Sequence, residues 1–306
     1  MQYYSKKHSS HSYSDGPFNL AYASKYQQWR EQKLDRFPKC IEDIIIDIND
    51  PTALTTEDYN AILGCCRDAN MAIYRSQAGN DPEKIIPRKL GLQFGLGNLD
   101  SNLCADDDGI TSLRLVENGI RSTYIPYTNR PISWHTDGYY NSLDKQIFGL
   151  LLHCVNRAEN GGENALMDHE IAYILLRDEN PDYILALMQP DALTIPPNRN
   201  QGIEIRSTQT GPVFGISSTG HLHMRYTQRS HNIIWKNDTL LREAIAYLSS
   251  ILQSDSPYIF RATLEPGYGL ISNNVLHNRS GFQNGDNPEY KRLIYRARYY
   301  DRIAQS

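Results

Sequence analysis

The sequence predicts a mainly β chain with helical insertions, organised as a jelly-roll sandwich. Three observations predict it. From about residue 111 onward, short runs rich in Val, Ile, Leu and Tyr recur between Gly, Pro and Asn, the texture of an all-β core. Helical periodicity is confined to a few segments, and no internal repeat or low-complexity linker divides the 306 residues. Two domains would fit the length, but sandwiches often use roughly 200–250 residues as one unit. Residues 1–16 therefore read as a flexible N-terminal arm and 17–306 as a single domain, with the jelly-roll core from about 110 to 302.

Taken in order, the arm MQYYSKKHSSHSYSDG is polar and lacks an apolar h-region, so it does not read as a secretory signal. Its His8 and His11 are assigned to mobile chain. Residues 24–34 predict a short amphipathic helix, and EDIIIDI at 42–48 a buried strand. Thr55 or Thr56 caps a helix carrying Tyr59, Ile62, Leu63 and Cys66 on one stripe. Residues 71–74 continue that helix or turn into a strand. Gly91, Gly95 and Gly97 form a turn-rich segment; no strand precedes them and no Lys-Ser/Thr follows, which argues against a phosphate loop. Strands then follow at 112–117, 122–128, 131–137, 147–154, 192–196, 202–207, 212–217, 221–227, 258–264, 267–273 and 292–300. Helices interrupt them after Asp168, after Asn180-Pro181 with Pro at the first helical position, and after Asp238, where Leu241, Ala244, Ile245, Leu248, Ile251 and Leu252 make an apolar stripe.

Composition excludes several classes. A net charge of −4 gives no general attraction for nucleic acid or an anionic membrane, and no apolar run approaches the ~18 residues of a membrane span. Cys40, Cys65, Cys66, Cys104 and Cys154 are odd in number and lack C-x-x-C spacing, against a disulfide framework or a Cys-based zinc site. A reducing, cytoplasmic location is the expectation. Tyr outnumbers Phe 21 to 7, which fits a hydrogen-bonded core or a ligand pocket needing both ring and hydroxyl.

Candidate chemistry begins at PISWHTDGYY. His135 and Asp137 are i and i+2 on a strand and so face the same side. A second imidazole completes a 2-His-1-carboxylate face with open positions for non-haem Fe(II). His277, at another strand-to-loop boundary, can supply it, because distant strands are neighbours in a sandwich. The rival is His221-x-His223 with His231 nearby, which has no carboxylate close in sequence. On the last strand Arg292, Arg296 and Arg298 share one face, opposite Leu293, Tyr295, Ala297 and Tyr299. Three adjacent guanidiniums repel unless anions lie near them; the alternative is a solvated outer face.

With these residues assembled, the chain resembles the taurine dioxygenase (TauD/TfdA-like) family of Fe(II)- and 2-oxoglutarate-dependent oxygenases, in the clavaminate-synthase-like group. The resemblance lies in YIPYTNRPISWHTDGYYN at 124–141, GGENALMD at 161–168, NNVLHNRSGF at 273–282 and RLIYRARYYDR at 292–302. It implies a double-stranded β-helix with His135, Asp137 and His277 holding iron at its open end. Arg292 would pair with the distal carboxylate of 2-oxoglutarate, with Arg296 the alternative anchor or the receptor for a substrate acid group. Asn164 stands where many members carry a threonine that bonds the same carboxylate. Fe(II), 2-oxoglutarate and O2 would together hydroxylate or desaturate a substrate, and Asp137 speaks against halogenation. The expected substrate is a small polar metabolite bearing a carboxylate, such as an amino acid. Tyr139, Tyr140, Arg296 and Arg225 are its candidate contacts, with Arg298 and Arg229 further anion receptors. Two other classes stay open: a cupin-like metal-binding protein without 2-oxoglutarate turnover, and a catalytically silent scaffold. A homo-oligomer also stays open, since the helix over 238–254 fits its own sheet or a second subunit equally.

Overall fold

The structure is a computed structural model that describes residues 16–101, 106, 108–200 and 202–306. His8, His11, Cys104 and all but Gly16 of the expected arm lie outside the described residues. Ten strands build the two main sheets: β1 (Ile45–Ile48), β2 (Met71–Ser76), β3 (Thr111–Leu113), β4 (Ile132–His135), β5 (Gly149–Asn156), β6 (Asn164–Met167), β7 (Phe260–Ala262), β8 (Tyr268–Ser272), β9 (Leu276–Arg279) and β10 (Leu293–Tyr299). The larger sheet runs β1-β2-β8-β5-β10-β3 and the smaller β7-β6-β9-β4. Together they form a jelly roll.

Period-two alternation builds the layers. Met71, Ile73, Leu150, Leu152, Cys154, Leu270 and Ile294 of the larger sheet share one core with Leu166, Met167 and Leu276 of the smaller. The alternate residues Ala72, Tyr74, Leu151, Val155, Ile271 and Ala297 turn outward onto α2 (Thr56–Ala69) and α3 (Ile85–Gln93), against Ile62, Leu63, Cys66 and Leu90. A strand buried on both faces loses the polar alternation of a half-exposed one, as in GLLLHCVN of β5. Three further helices, α4 (His169–Glu179), α5 (Pro181–Leu187) and α6 (Thr239–Gln253), add Ile171, Leu176, Ile184, Leu241 and Leu248 to the first core. The apolar stripe of α6 is thus spent inside its own chain.

Capping places the helices where the sequence puts them. Thr55 Oγ1 accepts from the Asp58 amide while Asp58 accepts from the Thr55 amide, a reciprocal capping box. Asp168, Asn180 and Asp238 each accept an amide hydrogen bond from the first turn of the helix they open. The N-terminal helix Ala23–Arg36 is fastened by Lys33, whose Nζ lies 2.6 Å from both Asp168 and Glu170 in the interior.

Three expectations are corrected. The larger sheet starts well before residue 110, because β1 and β2 pair in parallel across the α2 crossover and β2 then pairs with β8. Residues 122–128 form no strand but part of two 3-10 turns, Ile120–Thr123 and Ile125–Tyr127; Pro126 has no amide to give a ladder. The glycine-rich stretch begins inside α3. A Cβ on Gly91 would lie 2.6 Å from the Tyr299 hydroxyl, so close helix-to-sheet packing accounts for that glycine.

Gly269 is the analogous position inside the larger sheet, where a Cβ would meet both the Tyr74 ring and the backbone oxygen of Leu152 well inside van der Waals contact. Gly269→Ala is expected to cost roughly 1–3 kcal/mol, read as a lowered urea midpoint; an unchanged midpoint would contradict this packing.

Candidate active site

Cross-strand register creates the site. β9 runs antiparallel to β4 with His277 directly opposite His135, so their imidazoles meet with ring centroids 4.2 Å apart. On its other side β4 is held by residues 226–228, through Thr136 N to Tyr226 O and Gln228 N to Trp134 O. The chain then turns sharply at Gly138, whose φ of +69° suits glycine and whose missing Cβ leaves room for Ile147. Asn274 fixes the residue between: its Oδ1 accepts the Asp137 amide at 2.8 Å, and its Nδ2 donates to the Asp137 and Ile147 carbonyls at 2.9 and 2.8 Å.

His135, Asp137 and His277 each present one donor atom, all within 4.8 Å of one another. Each imidazole places Nδ1 2.9 Å from a carbonyl two residues back, Ser133 for His135 and Val275 for His277. A carbonyl only accepts, so Nδ1 carries the proton and Nε2 keeps its lone pair for the centre. Burial, then the neighbouring His277, pushes His135 down to about 3; burial depresses His277 as well. For Asp137 burial alone would raise the pKa, but Arg296 and Arg298 outweigh it and hold the carboxyl below its usual range. Two neutral imidazoles and one carboxylate therefore converge. Asp137 Oδ2 lies 3.7 Å from His277 Nε2 and has no hydrogen-bond partner although buried. An orphaned carboxylate oxygen beside two free nitrogens is a donor set suited to a divalent metal such as Fe(II).

Arg296 and Arg298 of β10, and Arg292 just before it, are buried and not turned to solvent, and the three guanidiniums go to different places. Arg296 Nη1 donates to Asp137 Oδ1 at 3.1 Å. Arg298 lies 3.5 Å from the same oxygen, pairs with Asp100, and donates to the Tyr140 hydroxyl at 2.6 Å. Arg292 lines a narrow recess with Asn164, Gly161 and Gly162. Its Nη1 is buried without a partner, and burial pushes the guanidinium down to about 10. Asn164 donates to the Asn278 carbonyl at 3.1 Å, which uses one of its two amide hydrogens.

His135, Asp137 and Arg296 open onto a cleft of about 1240 Å³, also walled by Tyr124, Tyr139 and Tyr140. Arg225 departs from expectation. It is 2 % exposed, and its guanidinium donates to the carbonyls of Tyr139, Leu193, Gly211 and Gln209, so it braces the cleft wall instead of reaching a ligand. The rival histidines do not assemble a site: His223 Nε2 bonds the Ile147 carbonyl and its ring packs on Phe148. Among the described residues no other His, Cys, Asp or Glu group brings three donor atoms together. Residue reasoning missed Asp100 and Asn274, which act through contacts remote in sequence. It also missed Arg206, another cleft residue, whose signal is only a charged end to the short strand Ile203–Arg206.

Known proteins resemble this chain at several levels. A uridine-5'-phosphate dioxygenase from Amycolatopsis sp is 32% identical over 176 residues, 54% of this chain and 60% of that protein. The chain thus spans less than two thirds of that relative. A uridine-5'-phosphate dioxygenase from Streptomyces sp is 28% identical over 214 residues, 67% of this chain and 74% of the relative. Among solved structures, asparagine oxygenase in complex with Fe(II), hydroxyasparagine and succinate superposes with a TM-score of 0.57 at 13% identity, covering 94% of this chain and 86% of that one. The non-heme iron oxygenase OrfP with Fe and alpha-ketoglutaric acid gives a TM-score of 0.56 at 15% identity, covering 80% of each chain. At such identities the structures attest the fold. The profile of the family described as "Taurine catabolism dioxygenase TauD, TfdA family" matches residues 35–298, most of the chain, and the protein belongs to that family.

Proposed function

We propose that this protein is an Fe(II)- and 2-oxoglutarate-dependent dioxygenase that hydroxylates a small anionic metabolite. The observation that carries the reading is the convergence of His135, Asp137 and His277, with both Nε2 lone pairs and the unpartnered Asp137 Oδ2 directed to one point. These three residues hold the iron. With 2-oxoglutarate and O2, the iron supplies the oxidising power for attack on a C–H bond, chemistry that no side chain provides. The chain's own residues bind and orient. Arg296 and Arg298 keep Asp137 ionised and fix Oδ1, which leaves Oδ2 for the metal. Arg292 is the anchor for the distal carboxylate of 2-oxoglutarate: its Nη1 lacks a partner and Asn164 lines the same recess, whereas Arg296 is committed to Asp137. Tyr139 and Tyr140 wall the substrate side and limit water there.

The names of the curated relatives make a nucleoside monophosphate the first candidate substrate; the amino acid expected from the sequence is the second. No helix among the described residues is long and apolar enough to cross a membrane. Cys40, Cys65, Cys66 and Cys154 are unpaired, which agrees with a reducing cytoplasm.

The test is succinate release from 2-oxoglutarate in air with Fe(II), scored against uridine 5′-phosphate, uridine and free amino acids. One compound is expected to raise release at least about tenfold above the substrate-free rate, equivalent to ~1.4 kcal/mol of barrier. If iron and 2-oxoglutarate yield no succinate with any compound, and 2-oxoglutarate does not bind, the oxygenase reading fails. Two variants separate the roles. His277→Ala is expected to lose bound Fe(II) after dialysis, whereas Arg292→Met keeps iron but binds 2-oxoglutarate about 100-fold more weakly. Unaltered 2-oxoglutarate affinity in Arg292→Met would move the anchor to Arg296.

A further inference from the structure

The cleft contains guanidinium charge that the metal centre does not use. Arg206 ends the hairpin formed by Asn198–Asn200 and Ile203–Arg206, and Arg229 follows directly on the segment that flanks β4. Both line the cleft that opens on His135 and Asp137. They meet over a pair of rings: the Arg206 guanidinium lies 5.3 Å from the centroid of Tyr140, Arg229 Nη1 donates to the Tyr139 hydroxyl at 2.8 Å, and the two rings are 5.1 Å apart, edge to face. Arg206 Nη2 is tied to the Pro196 carbonyl at 2.8 Å, while its Nε is buried with no partner.

Neither arginine has a carboxylate within 4 Å among the described residues, although Arg296 and Arg298 in the same site both do. Burial, with Arg229 nearby, lowers the Arg206 guanidinium. Like charges held together without a counter-charge are costly in a partly desolvated cleft, and a bound anion removes that cost. A single carboxylate neutralises one guanidinium. A phosphate monoester carries about −1.5 to −2 charges at neutral pH, with three acceptor oxygens, and matches two planar forks.

Resting on the nucleotide reading proposed above, the geometry points to Arg206 and Arg229, beside Tyr140 and Tyr139 in the cleft, as the subsite for the phosphate group of the substrate. The family resemblance directs a substrate anion to Arg296; here Arg296 is bound to Asp137, and the guanidiniums that have no carboxylate partner among the described residues lie elsewhere in the cleft. Tyr139 then joins the two regions, since its ring stands 6.5 Å from His135, edge to face, while its hydroxyl accepts from Arg229.

Two measurements on the Fe(II)- and 2-oxoglutarate-loaded protein test this. In the first, kcat/KM for succinate release is compared between uridine 5′-phosphate and uridine. The wild type is expected to favour the phosphate by about 100-fold, and R206Q/R229Q to drop that ratio below about tenfold, while R206K/R229K, which keeps both charges, stays between them. A ratio in R206Q/R229Q equal to wild type overturns the subsite while leaving the nucleotide reading intact. In the second, inorganic phosphate is titrated calorimetrically under anaerobic conditions. Binding to wild type that is lost in R206Q/R229Q supports the subsite even if no nucleotide is turned over, an outcome that would sink the nucleotide reading alone. Equal phosphate binding by wild type and variant, or none by either, overturns the subsite.

Discussion

The register of β9 against β4 is the constraint on which the site depends. An antiparallel ladder sets His277 opposite His135, and a slip of one residue would send one imidazole to the other face of the sheet. The surrounding structure pins that register from several directions: β6 pairs with the other edge of β9, residues 226–228 hold the other edge of β4, and Asn274 ties the turn before β9 to the backbone of Asp137. Because each Nδ1 is bound to the carbonyl two residues back along its own chain, the same register that positions the rings also aims their free nitrogens. Geometry and protonation state therefore have one origin.

The second requirement is charge balance in a space with little water. Asp137, Arg296, Arg298 and Asp100 are all buried, and isolated burial of any of them would cost several kcal/mol. They form a connected set in which each charge faces an opposite one, extended by the Tyr140 and Tyr300 hydroxyls on Arg298 and Asp100. Arg292, Arg206 and Arg229 are not neutralised in this way, and that difference separates the arginines that build the site from those proposed to receive ligands. Arg225 belongs to the builders through carbonyls instead of carboxylates.

Much of this was legible in the chain. His135-x-Asp137 on a β-like run, His277 before a loop and Arg292 at the start of the last strand are local patterns with a chemical reason for their spacing, and helix starts at Thr55, Asp168, Asn180 and Asp238 follow from caps that act over two or three residues. Contacts between distant segments were not legible. The inward aim of the β10 arginines depends on which face of the strand meets the smaller sheet, and alternation alone does not say. Arg225 looked like an anion receptor because its four carbonyl partners come from three separate segments. Residues 122–128 have strand composition, but Pro126 and the turn hydrogen bonds overrode it. β1 pairs in parallel with β2, and β2 joins the larger sheet antiparallel to β8, a partner nearly 200 residues away, and neither pairing leaves a short-range signature. The tyrosine excess divides accordingly: Tyr74 and Tyr299 are core, whereas Tyr139 and Tyr140 stand in the cleft.

His135, Asp137 and His277 are proposed to form an iron site that admits 2-oxoglutarate as a chelating cosubstrate. Anaerobic addition of Fe(II) and 2-oxoglutarate to the protein, followed by visible absorption, tests it most directly. A weak charge-transfer band is expected that saturates at one equivalent of each and is absent in His135→Ala. Tight Fe(II) binding without any such band would contradict it and make the protein a metal-binding jelly roll of another kind.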